Sequence, residues 1–280
     1  MHVSMSYKNA SKLGLFILLI GVTLSAVAAW WVQRTNTQTI AQALQENTEQ
    51  ISANIINRMT LYQYGLRGVL GTIVAAGEHN ISRAGFGRYS LIRDVDQEFP
   101  GARGFGFIRR VARADEVNFL TRVRQHSWPD FTIHQLGPNN GERYVIEYIE
   151  PVERNQASIG LDVASESHRK QAADAALLSG KVRLSAPITL VQAEGKTSQS
   201  FLILLPIYRT ISVPKTETER LSAGYGWSFA PLVTNEVLAG LALNHKMTKL
   251  LLSDVTQASD PIPFLKLSMM PRHYPPITIK

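Results

Sequence analysis

The chain has 280 residues and a formal net charge of +7, with 18% charged and 45% hydrophobic residues. That length carries one or two domains with a buried core, and the composition excludes wholesale disorder, while a mean hydropathy of -0.05 excludes a polytopic membrane protein. Cysteine is absent, which excludes a disulfide scaffold, a thiolate metal site and a cysteine nucleophile, and no five basic residues run together, which argues against a nucleic-acid partner.

Residues 13–32 carry no charge. At 1.5 Å per residue this run covers the roughly 30 Å hydrocarbon core of a bilayer, so a transmembrane helix is expected. Lys8 and Lys12 precede it and Arg34 follows. The positive-inside rule then leaves residues 1–12 as a cytoplasmic tail and exports the chain from residue 33 onward, with Trp30 and Trp31 in the outer headgroup layer. A cleaved signal peptide, cut after Ala26-Val27-Ala28, is the alternative. The apolar run continues through Trp30-Trp31-Val32, which favours the anchor, and both readings export the same residues. After Val32 the longest apolar run is 201–208, too short to span, so one crossing is expected.

Residues 33–77 read as a stalk helix. Leu44, Ile51, Ile55, Met59, Tyr62, Leu66, Val69 and Ile73 recur at intervals of seven, four and three, a coiled-coil-like seam. About 40 residues of helix are about 60 Å long. Continuation from the membrane span favours a stalk that forms a parallel homodimer over a core helix in a bundle. Gly65, Gly68 and Gly71 suit close packing against a sheet.

The pattern then becomes mixed. Helices are expected at 82–98, with Ser82 as N-cap, at 114–126, and at 166–178, ended by Gly180. Strands are expected at 102–111, at 131–135 and 144–149 around a turn at 137–141, and at 183–191 and 199–208 around a polar turn at 192–198. A linker at 211–220 leads to a strand at 223–230, a helix at 232–242, and strands at 249–254 and 264–268. The expected fold class is α+β, with one unit at 78–210, a second at 211–280, and antiparallel sheets in both.

Sequence motifs for catalysis are missing: there is no GxSxG, HExxH, GxxxxGK[ST] or GxGxxG, and the seven histidines are dispersed. Asp162, Ser165 and His168 could be arranged as a hydrolase triad, but nothing supplies an oxyanion hole and capping explains Ser165. No cofactor, metal or catalytic residue is expected.

Several blocks, in order, carry a resemblance. They are Phe99-Pro100-Gly101-Ala102-Arg103-Gly104-Phe105-Gly106-Phe107 with Arg110-Val111, and Trp128-Pro129-Asp130-Phe131 with Ile133. Then come Tyr144-Val145-Ile146-Glu147-Tyr148-Ile149-Glu150-Pro151, Asn155, and Gly160-Leu161-Asp162 with Ser165. Arg169-Lys170, Ser179-Gly180, Ser185-Ala186-Pro187, Leu190-Val191 and Phe201 to Arg209 complete the set. Over about residues 62–240 the chain resembles a CHASE domain, the extracytoplasmic sensor module of membrane histidine kinases and diguanylate cyclases. The resemblance implies a long stalk carrying two PAS-like units, 78–210 membrane-distal and ligand-sensing, 211–280 membrane-proximal. It also implies a second span and a cytoplasmic output domain beyond residue 280.

The expected site is a pocket in the first unit, walled by inward residues of the sheet: Phe105, Phe107, Tyr148, Leu184, Pro187, Leu202 and Leu204, with Glu147, Asp162, Arg169 and Ser185 as polar anchors. Core packing is the competing reading of the apolar residues. For Asp162 it is a helix cap or an ion pair with Arg169 or Lys170. In the cytokinin receptors of the family an acidic side chain meets the purine ring nitrogens. The matching position here is Arg169, a hydroxyl-bearing residue is replaced by Leu204, and a threonine is matched by Ser185. The reversed charge argues against a purine and for an anion, set against a solvated basic face. The function expected is small-molecule sensing by a membrane-anchored receptor, with its sensing domain in the periplasm or extracellular space. A docking module for a periplasmic protein is the alternative, ahead of a hydrolase.

Overall fold

The computed structural model describes residues 7–190, 200–239, 249–254 and 262–268. Its contacts divide the chain into Met1–Ala53 and Asn54–Lys280. A single helix, α1 (Tyr7–Ala76), runs without a break from the apolar segment through the expected stalk. Among the described residues it is the one helix long and apolar enough to cross a membrane, with a best-window mean hydropathy of 2.3. Gly77 ends it at φ 88, a left-handed conformation that costs glycine nothing, and donates its N–H to Ile73 O at 3.0 Å.

In the second unit, Tyr62, Leu66, Val69 and Ile73 are fully buried. The upper half of the seam is therefore core within this unit and is not open to a second stalk. Gly65 shows how close the packing is, since a Cβ there would come 2.5 Å from the ring of Phe105. Gly68 plays the same part against Tyr89, whereas a Cβ on Gly71 would meet nothing.

Two helices, α2 (Arg83–Leu91) and α3 (Val95–Glu98), replace the single one expected at 82–98. Each has its own cap: Ser82 Oγ accepts from Gly85 N at 3.1 Å and Asp94 Oδ1 from Gln97 N at 3.1 Å. Next come β1 (Phe105–Val111), α4 (Glu116–His126), β2 (Arg143–Glu150), α5 (Ser167–Ser179), β3 (Arg183–Leu184) and β4 (Ser200–Tyr208). The second half adds α6 (Glu217–Ala223), β5 (Gly224–Val233), α7 (Thr234–Val237), β6 (Lys249–Asp254) and β7 (Ile262–Ser268).

Five strands form one antiparallel sheet in the order β2-β1-β5-β4-β3. This corrects the expected boundary at 210/211. Strand β5, assigned from sequence to the second unit, lies between β1 and β4, and every one of its residues is buried. A strand buried on both faces belongs in the middle of a sheet. The linker before it carries α6, which starts with a capping box between Thr216 and Glu219. Of the expected second unit, the described residues hold the β6–β7 hairpin. The helix expected at 232–242 is the short α7, and residues 240–242, like the turn at 192–198, lie outside the described residues.

Two expected strands do not extend as drawn. Residues 131–135 stay out of the sheet: His134 N bonds Gly160 O at 3.0 Å, while Phe131 packs with Phe119 and Val123 beneath α4. Strand 183–191 is cut to β3 because Ser185 Oγ takes the Leu202 amide at 2.9 Å and Pro187 has no N–H for the ladder. Beyond the bond from Ser185 N to Leu202 O at 2.8 Å, pairing among the described residues resumes at the single bridge Ile188–Ser200.

The sheet has two distinct covers. On one face, α5 presents Ala172, Ala173 and Ala176 to Ile108, Leu202, Leu204, Trp227 and Phe229. Alanines let the helix sit close enough for Trp227 Nε1 to donate to Ala173 O at 2.9 Å. The other face carries Phe105, Phe107 and Arg109, with α1 and α2 packed over it.

Candidate functional site

Asp162 is fully buried and its carboxylate is committed to the fold. Oδ1 accepts from Tyr144 N at 2.9 Å and Ala164 N at 3.1 Å, and Oδ2 from Asn139 Nδ2 at 2.9 Å and Arg143 Nη1 at 3.0 Å. The cap reading of Asp162 is therefore its role here, and its ion-pair partner is Arg143, in place of Arg169 or Lys170. No lone pair is left pointing at a ligand.

Arg169 sits in the first turn of α5 and is 3% exposed. Its Nη2 donates to Thr189 O at 2.7 Å. Its Nε is buried without a hydrogen-bond partner among the described residues, and the nearest carboxylate oxygen, Glu166 Oε2, is 3.6 Å away. Glu166 is occupied as the N-cap, accepting from His168 N and Arg169 N. Burial holds the Arg169 guanidinium below its usual range, with Glu166 partly opposing. Ser185 is buried beneath this segment, donating to Ala186 O at 2.8 Å and accepting from Leu202 N. Leu202 and Leu204 belong to the core against α5. Leu184 is 45% exposed and Pro187 half-buried, so neither is an inward wall.

The other four expected residues are on the opposite face. Phe105 meets Phe99 edge-on at 4.7 Å, and Phe107 faces Tyr225 at 6.2 Å. Between β1 and β2 the register slips, with Phe107 opposite Tyr148 and Ile108 opposite Ile146, so Glu147 is the extra residue of a bulge. Glu147 and Tyr148 then both serve the α1 face. Glu147 pairs with Arg109, both nearly fully buried. Tyr148 stacks on Phe86 and donates to Ile81 O at 3.1 Å, and burial raises its phenol pKa. The nine expected site residues are thus split by the sheet: Phe105, Phe107, Glu147 and Tyr148 on one face, Arg169, Leu202 and Leu204 on the other, with Asp162 and Ser185 tying segments to the strands.

Sequence reasoning passed over Arg109, Arg122, Arg143 and Trp227. For Arg109 a signal existed, because alternation from Phe105 and Phe107 places it on the same inward face. Among the described residues no cluster of His, Asp or Glu could hold a metal ion.

A five-stranded antiparallel sheet in the order 2-1-5-4-3, flanked by helices and preceded in the chain by a long apolar helix, defines an α+β fold. The family model of the CHASE domain matches residues 79–265, about two thirds of the chain, and the chain belongs to the CHASE domain family. CHASE domains are extracytoplasmic sensor modules of signalling receptors, sensory and not catalytic. With the candidate span near the N-terminus, the family points to a membrane receptor. No curated protein matches the chain.

Proposed function

We propose that this chain is the small-molecule-sensing segment of a membrane-anchored receptor, reading a small anionic ligand on the α5 face of the sheet at Arg169. The carrying observation is the Arg169 guanidinium itself, buried, with Nε lacking a hydrogen-bond partner among the described residues and its ion-pair partner, Glu166 Oε2, 3.6 Å away. An incompletely paired buried cation is costly unless an anion completes it. Arg169 lies in the first turn of a helix, where the macrodipole also favours negative charge. Ligand binding shifts a population between two arrangements of the sheet and α1, and α1 carries the change toward the membrane. The sensing domain is placed in the periplasm or extracellular space, the span in the inner membrane, the receptor as a homodimer through the stalk, and a kinase or cyclase output in the cytoplasm.

The test is a thermal-shift titration of the full chain in detergent with inorganic phosphate, acetate and succinate. At least one should stabilise the chain, and Arg169→Ala should weaken that ligand about tenfold to hundredfold. An affinity unchanged in the variant, or tight binding of a purine by the unsubstituted chain, overturns the reading.

One observation favours a second reading, docking of a protein partner. Leu91 and Ile92 are 85% and 81% exposed beside an open concavity rimmed by Asp94, Asp96, Glu150 and Arg154. Loss of a receptor response in a Leu91→Ser, Ile92→Ser variant with unchanged anion binding would favour it.

A further inference from the structure

Leu91 and Ile92 close α2 and stand out of the molecule, 85% and 81% exposed. They are not a frayed end. Asp94 caps α3 and Glu98 Oε1 accepts from Asp94 N at 3.0 Å, while Arg93 donates to Tyr89 OH at 2.9 Å and pairs with Glu98 at 3.2 Å. The turn that carries the apolar pair is therefore pinned from both sides. Both residues line a concavity whose other wall is the end of β2 and the segment after it, Glu150 to Arg154. That wall is fixed as well: Val152 N donates to Glu150 Oε2 at 3.0 Å and Arg154 Nε to Arg103 O at 2.8 Å. The lining holds the carboxylates of Asp94, Asp96, Glu150 and Glu153 against the guanidiniums of Arg93 and Arg154. Arg93 is paired with Glu98, and Arg154 with Asp96 at 2.7 Å. Asp94, Glu150 and Glu153 make no ion pair among the described residues, in a chain whose net charge is +7.

We propose that this concavity docks a basic segment of a partner protein, whose aliphatic or aromatic side chains cover Leu91 and Ile92 while its Lys or Arg residues meet Asp94, Glu150 and Glu153. The proposal rests on the docking reading above and gives the partner its chemistry. An apolar pair that is already ordered loses little freedom when covered, so its burial goes into affinity. The uncompensated carboxylates select the sign of what covers it, because a rim of one charge repels like charge and draws the opposite one. A second copy docked across a two-fold axis would set this negative patch against itself. A small cation would answer the carboxylates but leave Leu91 and Ile92 in water. Basic residues with apolar ones between them satisfy both halves of the site.

The experiment places a photoreactive benzophenone side chain at position 90 of the full chain, in intact cells that encode it. Ser90 lines the concavity, and this position leaves Leu91 and Ile92 in place. The control is position 117 on α4, where Val117 is 73% exposed. Irradiation should give an adduct from position 90 and none from position 117. The crosslinked peptide, sequenced by mass spectrometry, should carry Lys or Arg beside apolar residues. Three substitutions then remove the charge and keep the local bonds: Asp94→Asn can still cap α3, Glu150→Gln can still accept from Val152 N, and Glu153→Gln is exposed. Together they should lower the adduct yield about tenfold without lowering Tm. A synthetic copy of the crosslinked peptide, titrated onto the full chain in detergent, should bind more weakly as salt rises. An adduct that survives the three substitutions, a crosslinked peptide without basic residues, or an adduct with a second copy of the chain overturns the proposal and leaves docking at this site standing. No adduct from position 90 removes the docking reading and the proposal together. Anion binding at Arg169 does not enter any of these outcomes.

Discussion

Arg143 and Asp162 form an ion pair at 3.0 Å in which the aspartate is fully buried and the arginine side chain is 9% exposed. It joins β2 to the segment leading into α5, and Asn139 and the Tyr144 amide converge on the same carboxylate. Removing one member strands a buried charge, which costs far more than the pair itself contributes. Asp162→Ala should therefore lower stability by about 3–5 kcal/mol in chemical denaturation. A loss under about 1 kcal/mol would mean that the carboxylate is not a structural hub.

Gly65 and Phe105 set how close α1 lies to β1. A Cβ at position 65 would stand 2.5 Å from the ring, inside van der Waals contact. Gly65→Ala should cost about 1–3 kcal/mol by overpacking, against the small gain alanine gives a helix. Adding Phe105→Leu should recover part of that loss, a coupling visible in a double-mutant cycle. Strict additivity would show that the two do not touch.

Glu150 is the carboxylate whose titration should mark the acid side of the stability curve. Burial raises its pKa above the ordinary 4.5, with Glu153 adding to the effect and the Val152 amide and Arg83 opposing it. Below pH 4.5 the group is protonated in both folded and unfolded chains; as pH rises from there toward the folded pKa the unfolded chain ionises first and stability falls. Glu150→Gln keeps an acceptor for Val152 N. The variant should melt higher than the unsubstituted chain at pH 7 and equally at pH 4. A difference that persists at pH 4 would assign the effect to something other than ionisation.

The proposed homodimer has to use seam positions that the chain does not bury itself. Tyr62, Leu66, Val69 and Ile73 are already core and Ile51 is 3% exposed, whereas Leu44 is 42% exposed and Ile40, four residues before the seam begins and on the same side of the helix, is 67% exposed. Ile40→Asp with Leu44→Asp should abolish crosslinking of the chain in membranes without lowering Tm. Unchanged crosslinking would place any contact between copies elsewhere.

The proposed orientation rests on Lys8 and Lys12 on one flank of the apolar segment. A reporter enzyme that works only in the cytoplasm, fused after Lys280, should be silent. Activity would reverse the orientation and remove the extracytoplasmic reading with it.

The local features were readable because short-range chemistry decides them. An uncharged run from Leu13 to Val32, the Ser82 cap and Gly180 closing α5 need only their neighbours in the chain. Ordered blocks of residues likewise sufficed for the family. What sequence left undecided depends on which segments meet. The linker at 211–220 looks like a boundary, yet β5 is drawn past it into the centre of the first sheet, where its buried residues find apolar cover on both faces. The seam from Leu44 to Ile73 reads the same whether it meets a second helix or the chain's own sheet, and only the position of Phe105 against Gly65 settles its upper half. A bulge at Glu147 turns Tyr148 to the α1 face, and no periodicity of a single strand discloses the register slip that causes it. Candidate anchors that alternation would gather into one pocket were therefore divided by the sheet, since strand pairing fixes which face each side chain serves.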